Sequence, residues 1–110
     1  MPVTLDLQQL THEMNRFVHA KGWYADESPF PQTPRNIATS IAIEAAEILE
    51  HFQFRDTPTN PAELAGELAD VALYLLQLAY LMEIDLEQAI LEKLRINYAR
   101  TWDVPSNTSE

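Results

Sequence analysis

Apolar residues recur every three or four positions in four separate stretches of this chain, the spacing of one face of an α-helix. Leu7, Leu10, Met14, Phe17 and Val18 predict a first helix over 6–21. Asp6 and Gln9 stand at capping-box spacing before it, and Gly22 is its C-cap candidate. Ile37, Ile41, Ala45, Ile48 and Phe52 predict a second helix, opening at Pro34 behind Thr33 and ending near Phe54 or Arg55. The third has the strongest start signal, with Asn60 as cap, Pro61 first and Glu63 third. Leu64, Leu68, Val71, Leu75 and Leu78 line one side of it, and Leu73, Leu76, Tyr80 and Leu81 much of the other. Asp85 and Gln88 open a fourth helix, striped by Leu86, Ile90, Leu94 and Tyr98. Between the first two lies a loop, 23–33, whose Asp26, Glu27, Ser28, Pro29 and Pro31 exclude regular structure.

The expected fold is all-α: a four-helix bundle-like protomer, one domain over 1–102, with a short polar tail at 103–110. The wide apolar girth of the third helix exceeds what three neighbours can cover. Exposing the remainder would leave a patch larger than monomers tolerate, so a symmetric oligomer is expected, at least a dimer.

Composition narrows the function. The 110 residues contain only two Gly and no Cys, so a disulfide framework and a thiolate zinc site are excluded. Met1 to Leu10 has neither the basic region nor the apolar run of a signal peptide, and Ala69 to Met82 is too short to cross a bilayer. A cytoplasmic location is the default. The net charge of -10, from 17 acidic and 7 basic residues, argues against a nucleic-acid polymer or an anionic membrane as partner. It leaves open a polyphosphate bound through metal ions.

The acidic residues are also patterned. Glu44 and Glu47 lie three apart on the second helix; Glu67 and Asp70 repeat that spacing on the third. Each pair shares a helix face, and each sits in an Ala-rich apolar stretch where an isolated charge is costly to bury. The bland alternative is two solvated acidic stripes, which would require both pairs to fall on the buried margin by chance. Four facing carboxylates call for a cation, and an oxygen-only cluster suits Mg²⁺ or Mn²⁺. No Glu-x-x-His pair stands in the central helices, so the di-iron pattern is missing. A hard-cation site points to phosphoryl or nucleotidyl chemistry. Lys21, Arg35, Lys93 and Arg100 are spare cations for outer phosphates, and rings at Trp23, Phe30 and Phe54 offer stacking surfaces for a base. His12 and His19 lack a third ligand nearby and read as surface or boundary residues.

Trp23, Pro34-Arg35-Asn36-Ile37, Glu44-Ala45-Ala46-Glu47, Phe52-Gln53, Glu67-Leu68-Ala69-Asp70-Val71 and Tyr74-Leu75 together resemble the MazG-like all-α nucleoside triphosphate pyrophosphohydrolases. The resemblance is greatest to their single-domain dCTP pyrophosphatase branch and spans roughly 16–100. It implies that Glu44, Glu47, Glu67 and Asp70 are the metal-binding carboxylates. It sets Tyr74, Asn97 and Arg100 near the nucleotide or its phosphates, Trp23 and Phe54 as aromatic walls, and Lys93 within the same pattern. It further implies dimers or tetramers with sites built across subunits. The expected reaction is Mg²⁺-dependent hydrolysis of a deoxynucleoside triphosphate to monophosphate and pyrophosphate, with pyrimidines preferred and dCTP or a modified form first. Phe54 replaces a usual Trp, Gln32 lies near a position often held by His, the loop after Trp23 is longer, and Thr101-Trp102 replaces Tyr-Pro; these departures border the expected base pocket. A non-catalytic oligomerisation module and a nucleotide sensor are the competing expectations.

Overall fold

The computed structural model describes residues 4–102. Four helices run through them: α1 (Leu7–Ala20), α2 (Pro34–Glu50), α3 (Pro61–Leu81) and α4 (Leu86–Ala99). No strand occurs among the described residues. The tail expected at 103–110 lies outside them.

Each helix begins where a side chain satisfies its first free backbone N–H groups. Asp6 and Gln9 form the full reciprocal box: Gln9 N donates to Asp6 Oδ1 at 2.7 Å, and Asp6 N to Gln9 Oε1 at 2.8 Å. Thr33 Oγ1 accepts from Asn36 N, Asn60 Oδ1 from Ala62 N and Glu63 N, and Asp85 Oδ1 from Gln88 N. Pro34 and Pro61 each follow a cap, where a missing N–H does no harm. At the end of α1, Lys21 takes the cap itself and Gly22 the next position, with φ 76°. Trp23 N then bonds back to Val18 O at 3.2 Å, which aims the Trp23 ring toward the helix it has just left.

The second helix ends earlier than its periodicity predicts. It stops at Glu50, and 51–54 form a tightening turn. His51, Phe52 and Gln53 donate to carbonyls three residues back, and Phe54 enters the left-handed region at φ 61°. Phe52 is therefore not part of a continuous packed stripe.

Helices α2 and α3 pack along one another in opposite directions: Gln32 meets Gln77, Glu44 meets Asp70, and His51 meets Glu67. Helix α1 packs on α3, and Met14, Val18 and Leu76 form the core between them, flanked by Leu7, Trp23, Tyr24 and Leu86. Helix α4 leans on α1 and makes little contact with α2 or α3. Leu68, Leu73, Leu75 and Tyr80 of α3 remain exposed, as do Ile90, Leu91, Leu94 and Tyr98 of α4. By length and composition α3 could span a bilayer, with a mean hydropathy of 1.4 in its most apolar window, so the shorter stretch taken from sequence understated it. Its Glu63, Glu67 and Asp70, and its packing against α1 and α2, make it the central helix of the packed unit.

Candidate functional site

The antiparallel seam of α2 and α3 gathers two features end to end. At one end is a cleft of about 510 Å³, lined by Trp23, Phe30, Gln32, Asn36, Ser40 and Tyr74, with Pro29, Pro31, Ile37 and Thr39 completing its walls. One helical turn further along are the carboxylates: Glu44 follows Ser40 by four residues on α2, and Asp70 precedes Tyr74 by four on α3. A turn is about 5.4 Å, so the acidic groups border the cleft.

The carboxylate pairs do face one another. The Glu44 carboxyl holds its proton above the usual range, first because the seam partly strips its water. Repulsion from Glu47, Asp70 and Glu67 adds to this, as does a hydrogen bond shared with Asp70. This is an acidic site short of positive charge. In kind, an oxygen-only set on two facing helices suits a hard divalent cation. As arranged, no three Asp, Glu or His side chains among the described residues converge on one point. Glu44 turns to Asp70, while Glu67 turns to a different partner.

That partner is His51, which the sequence reading passed over. It is 6% exposed, and its Nε2 lies 2.7 Å from Glu67 Oε1. Its Nδ1 is buried with no hydrogen-bond partner. The available signal was spacing: Glu44, Glu47 and His51 stand at i, i+3 and i+7, one helix face. Gln77 is a second omission, 3% exposed in the middle of α3. Its Nε2 donates to Gln32 Oε1 at 2.7 Å and lies 3.4 Å from the Tyr24 hydroxyl. Burial raises the Tyr24 pKa, and the Gln77 bond partly offsets that; the Tyr24 hydroxyl donates to Asn15 Oδ1 at 2.6 Å.

The remaining sequence candidates divide. Trp23 and Tyr74 wall the cleft, and Phe30 meets Trp23 edge-on at 6.1 Å. Arg35 is exposed in the first turn of α2, outside the cleft lining. Phe54 is 99% exposed in the α2–α3 turn and does not line the cleft. Lys93, Asn97 and Arg100 travel with α4, away from the seam. The Asn97 Oδ1 is buried without a partner, and the Arg100 guanidinium lies 4.2 Å over the Trp102 ring.

Comparison with known proteins gives the arrangement a relative. The chain is 36% identical to mouse (Mus musculus) dCTP pyrophosphatase 1 over 101 aligned positions, covering 82% of this chain and 58% of the mouse protein. The human (Homo sapiens) protein of that name is 35% identical and the bovine (Bos taurus) one 34%, over the same share of this chain. No protein-family model matches. The chain is similar to the dCTP pyrophosphatase branch of the MazG-like proteins, the family that its motifs resemble. It spans less than two thirds of the length of the curated relatives it matches, 58–59%. All-α architecture is common ground with what the MazG-like resemblance implied.

Proposed function

We propose that this protein hydrolyses a nucleoside triphosphate, with a deoxycytidine-type nucleotide first, to the monophosphate and pyrophosphate. The observation that carries this is the meeting of Glu44/Glu47 with Glu67/Asp70 across a seam that continues into an aromatic-walled cleft. The relatives' name, dCTP pyrophosphatase, supports the same substrate class.

Glu44, Glu47, Glu67 and Asp70 would hold Mg²⁺, with Mn²⁺ as an alternative. A bound cation supplies charge neutralisation at phosphate oxygens and a lowered pKa for water. The chain's own residues do the rest. Trp23, Phe30 and Tyr74 flank the base and ribose, and stacking there is worth about 1–3 kcal/mol with little discrimination between bases. The seam directs the triphosphate along α2 and α3 toward the carboxylates. Water oxygen bonds to the α-phosphorus as the α–β bridging oxygen leaves with pyrophosphate, and a carboxylate of the cluster accepts the water proton.

A second copy of the chain completes this proposal. The exposed Leu, Ile and Tyr side chains of α3 and α4 are a natural interface. Lys93, Asn97 and Arg100 of one protomer would then meet the phosphates bound by another. The test is product analysis over a panel of triphosphates, with Mg²⁺ and with EDTA. Monophosphate plus pyrophosphate, only with the metal, is the expected result. Orthophosphate release, or equal turnover in EDTA, overturns the mechanism; turnover absent from a folded chain that still binds nucleotide favours a sensor.

A further inference from the structure

We infer that Gln77 is a positioning residue that holds the cleft narrow and so sets its preference for one-ring over two-ring bases. This rests on the pyrophosphohydrolase assignment above.

A primary amide at 3% exposure in the middle of an apolar helix is expensive unless its hydrogens find acceptors. Gln77 finds them in the loop that forms the opposite wall of the cleft. Its Nε2 donates to Gln32 Oε1 at 2.7 Å, across 45 residues of chain. Gln32 Nε2 in turn donates to the Phe30 carbonyl at 2.7 Å. A relay of two short bonds thus runs from α3 to the backbone of the residue whose ring faces Trp23. Two other ties on this loop are local, Asn36 Nδ2 to Pro31 O at 2.9 Å and Phe30 N to Ser28 Oγ at 3.0 Å. At the start of the loop the Tyr24 hydroxyl donates to Asn15 Oδ1 of α1 at 2.6 Å and lies 3.4 Å from Gln77 Nε2, so among the described residues every side-chain hydrogen bond from α3 to the loop comes from Gln77.

Tyr74 precedes Gln77 by three residues, so the two share a face of α3. One lines the cleft and the other anchors the far wall. At the Phe30 side of the cleft, the wall is therefore tied to α3 through Gln77 and the Gln32 relay. The relay also commits Gln32. Its carbonyl oxygen points to Gln77 and one amide hydrogen to Phe30, so base contact falls to the second N–H, a donor suited to a pyrimidine carbonyl or ring nitrogen. A free Gln side chain would offer donor and acceptor alike.

Gln77→Met keeps the unbranched shape and removes the amide; Gln32→Met cuts the same relay from the loop side. The measurement is kcat/KM for dCTP, dTTP, dATP and dGTP on one preparation of each variant, because the quotient between two substrates does not depend on the fraction of folded enzyme. The wild-type chain should favour pyrimidines. Each variant should lower the pyrimidine-to-purine ratio by about fivefold, the equivalent of one ordinary hydrogen bond. The double variant should match the singles, because one relay is being cut twice. An unmoved ratio in both single variants, in a chain that does hydrolyse triphosphates, overturns the clamp alone. A wild-type ratio at or below one also overturns it, and a chain with no triphosphate hydrolysis overturns the assignment beneath it.

Discussion

Replacing His51 is the sharpest test of how the acidic seam is held together. His51→Ala removes the Nε2 contact to Glu67 Oε1, 2.7 Å long, and leaves a gap where a nearly buried ring stood. The Glu67 side chain is only 23% exposed, so water makes good little of the loss. A hydrogen bond to a charged group contributes about 1.5–3 kcal/mol. The unpartnered Nδ1 works the other way, since deleting it relieves a buried polar atom. A net loss of about 2 kcal/mol follows, which for a domain of this size lowers Tm by about 8–16 °C. Thermal or urea unfolding without added metal measures it. His51→Gln, which keeps an N–H at similar reach, should recover most of the loss. The same His51→Ala change should weaken Mg²⁺ binding about 10–100-fold, because an oriented ligand carboxylate is set loose; calorimetric titration reads that without turnover. If His51→Ala melts within 2 °C of wild type, or if His51→Gln is as unstable as His51→Ala, the hydrogen bond is not what holds the turn.

The seam also has a signed pH dependence. Glu44's folded pKa is raised, so its contribution to stability is present at acid pH and is lost as pH rises through the folded value. At neutral pH the repulsion that raises Glu44 is therefore a burden, and Asp70→Asn should raise Tm there, with the gain vanishing below the ordinary carboxylate range; no gain at neutral pH contradicts the repulsion. Mg²⁺ should stabilise the wild-type chain by about 2.7 kcal/mol at a hundred times its Kd, and Glu47→Gln with Asp70→Asn should abolish that shift, whereas an oligomerisation module would show no shift at all. Light scattering at micromolar concentration should report a dimer or larger, and a monomer would remove the shared-site proposal. Glu83, at φ 57° after α3, occupies a position suited to glycine; Glu83→Gly should stabilise by about 1 kcal/mol, and a loss on denaturant unfolding would count against the strain.

What the sequence disclosed and what it hid divide by range. Asp6, Thr33, Asn60 and Asp85 were readable as caps because a cap bonds two or three residues away, and the structure has a helix beginning at each. The end of α2 was not readable. It is closed by carbonyls three residues back and by a left-handed Phe54, with no Gly or Pro to signal it. The facing of Glu44/Glu47 and Glu67/Asp70 was legible because each pair's spacing fixes its helix face, and two amphipathic helices joined by a short turn must pack antiparallel. His51 and Gln77 escaped because their partners lie 16 and 45 residues away. On a helical wheel, a polar residue on an inward face looks like an imperfection in the stripe. Yet both bridge the seam, one at the carboxylate end and one at the cleft end, and each leaves a neighbour unsatisfied if removed. The apolar stripes make the helices associate; these two polar contacts fix their register and hold the loop and turn at either end. The proposed site, which would place a base and a charged triphosphate along one groove, would need that register more than further apolar area. The two buried polar residues, His51 at the end of α2 and Gln77 within the apolar run of α3, are thus the feature of this sequence most worth reading as chemistry.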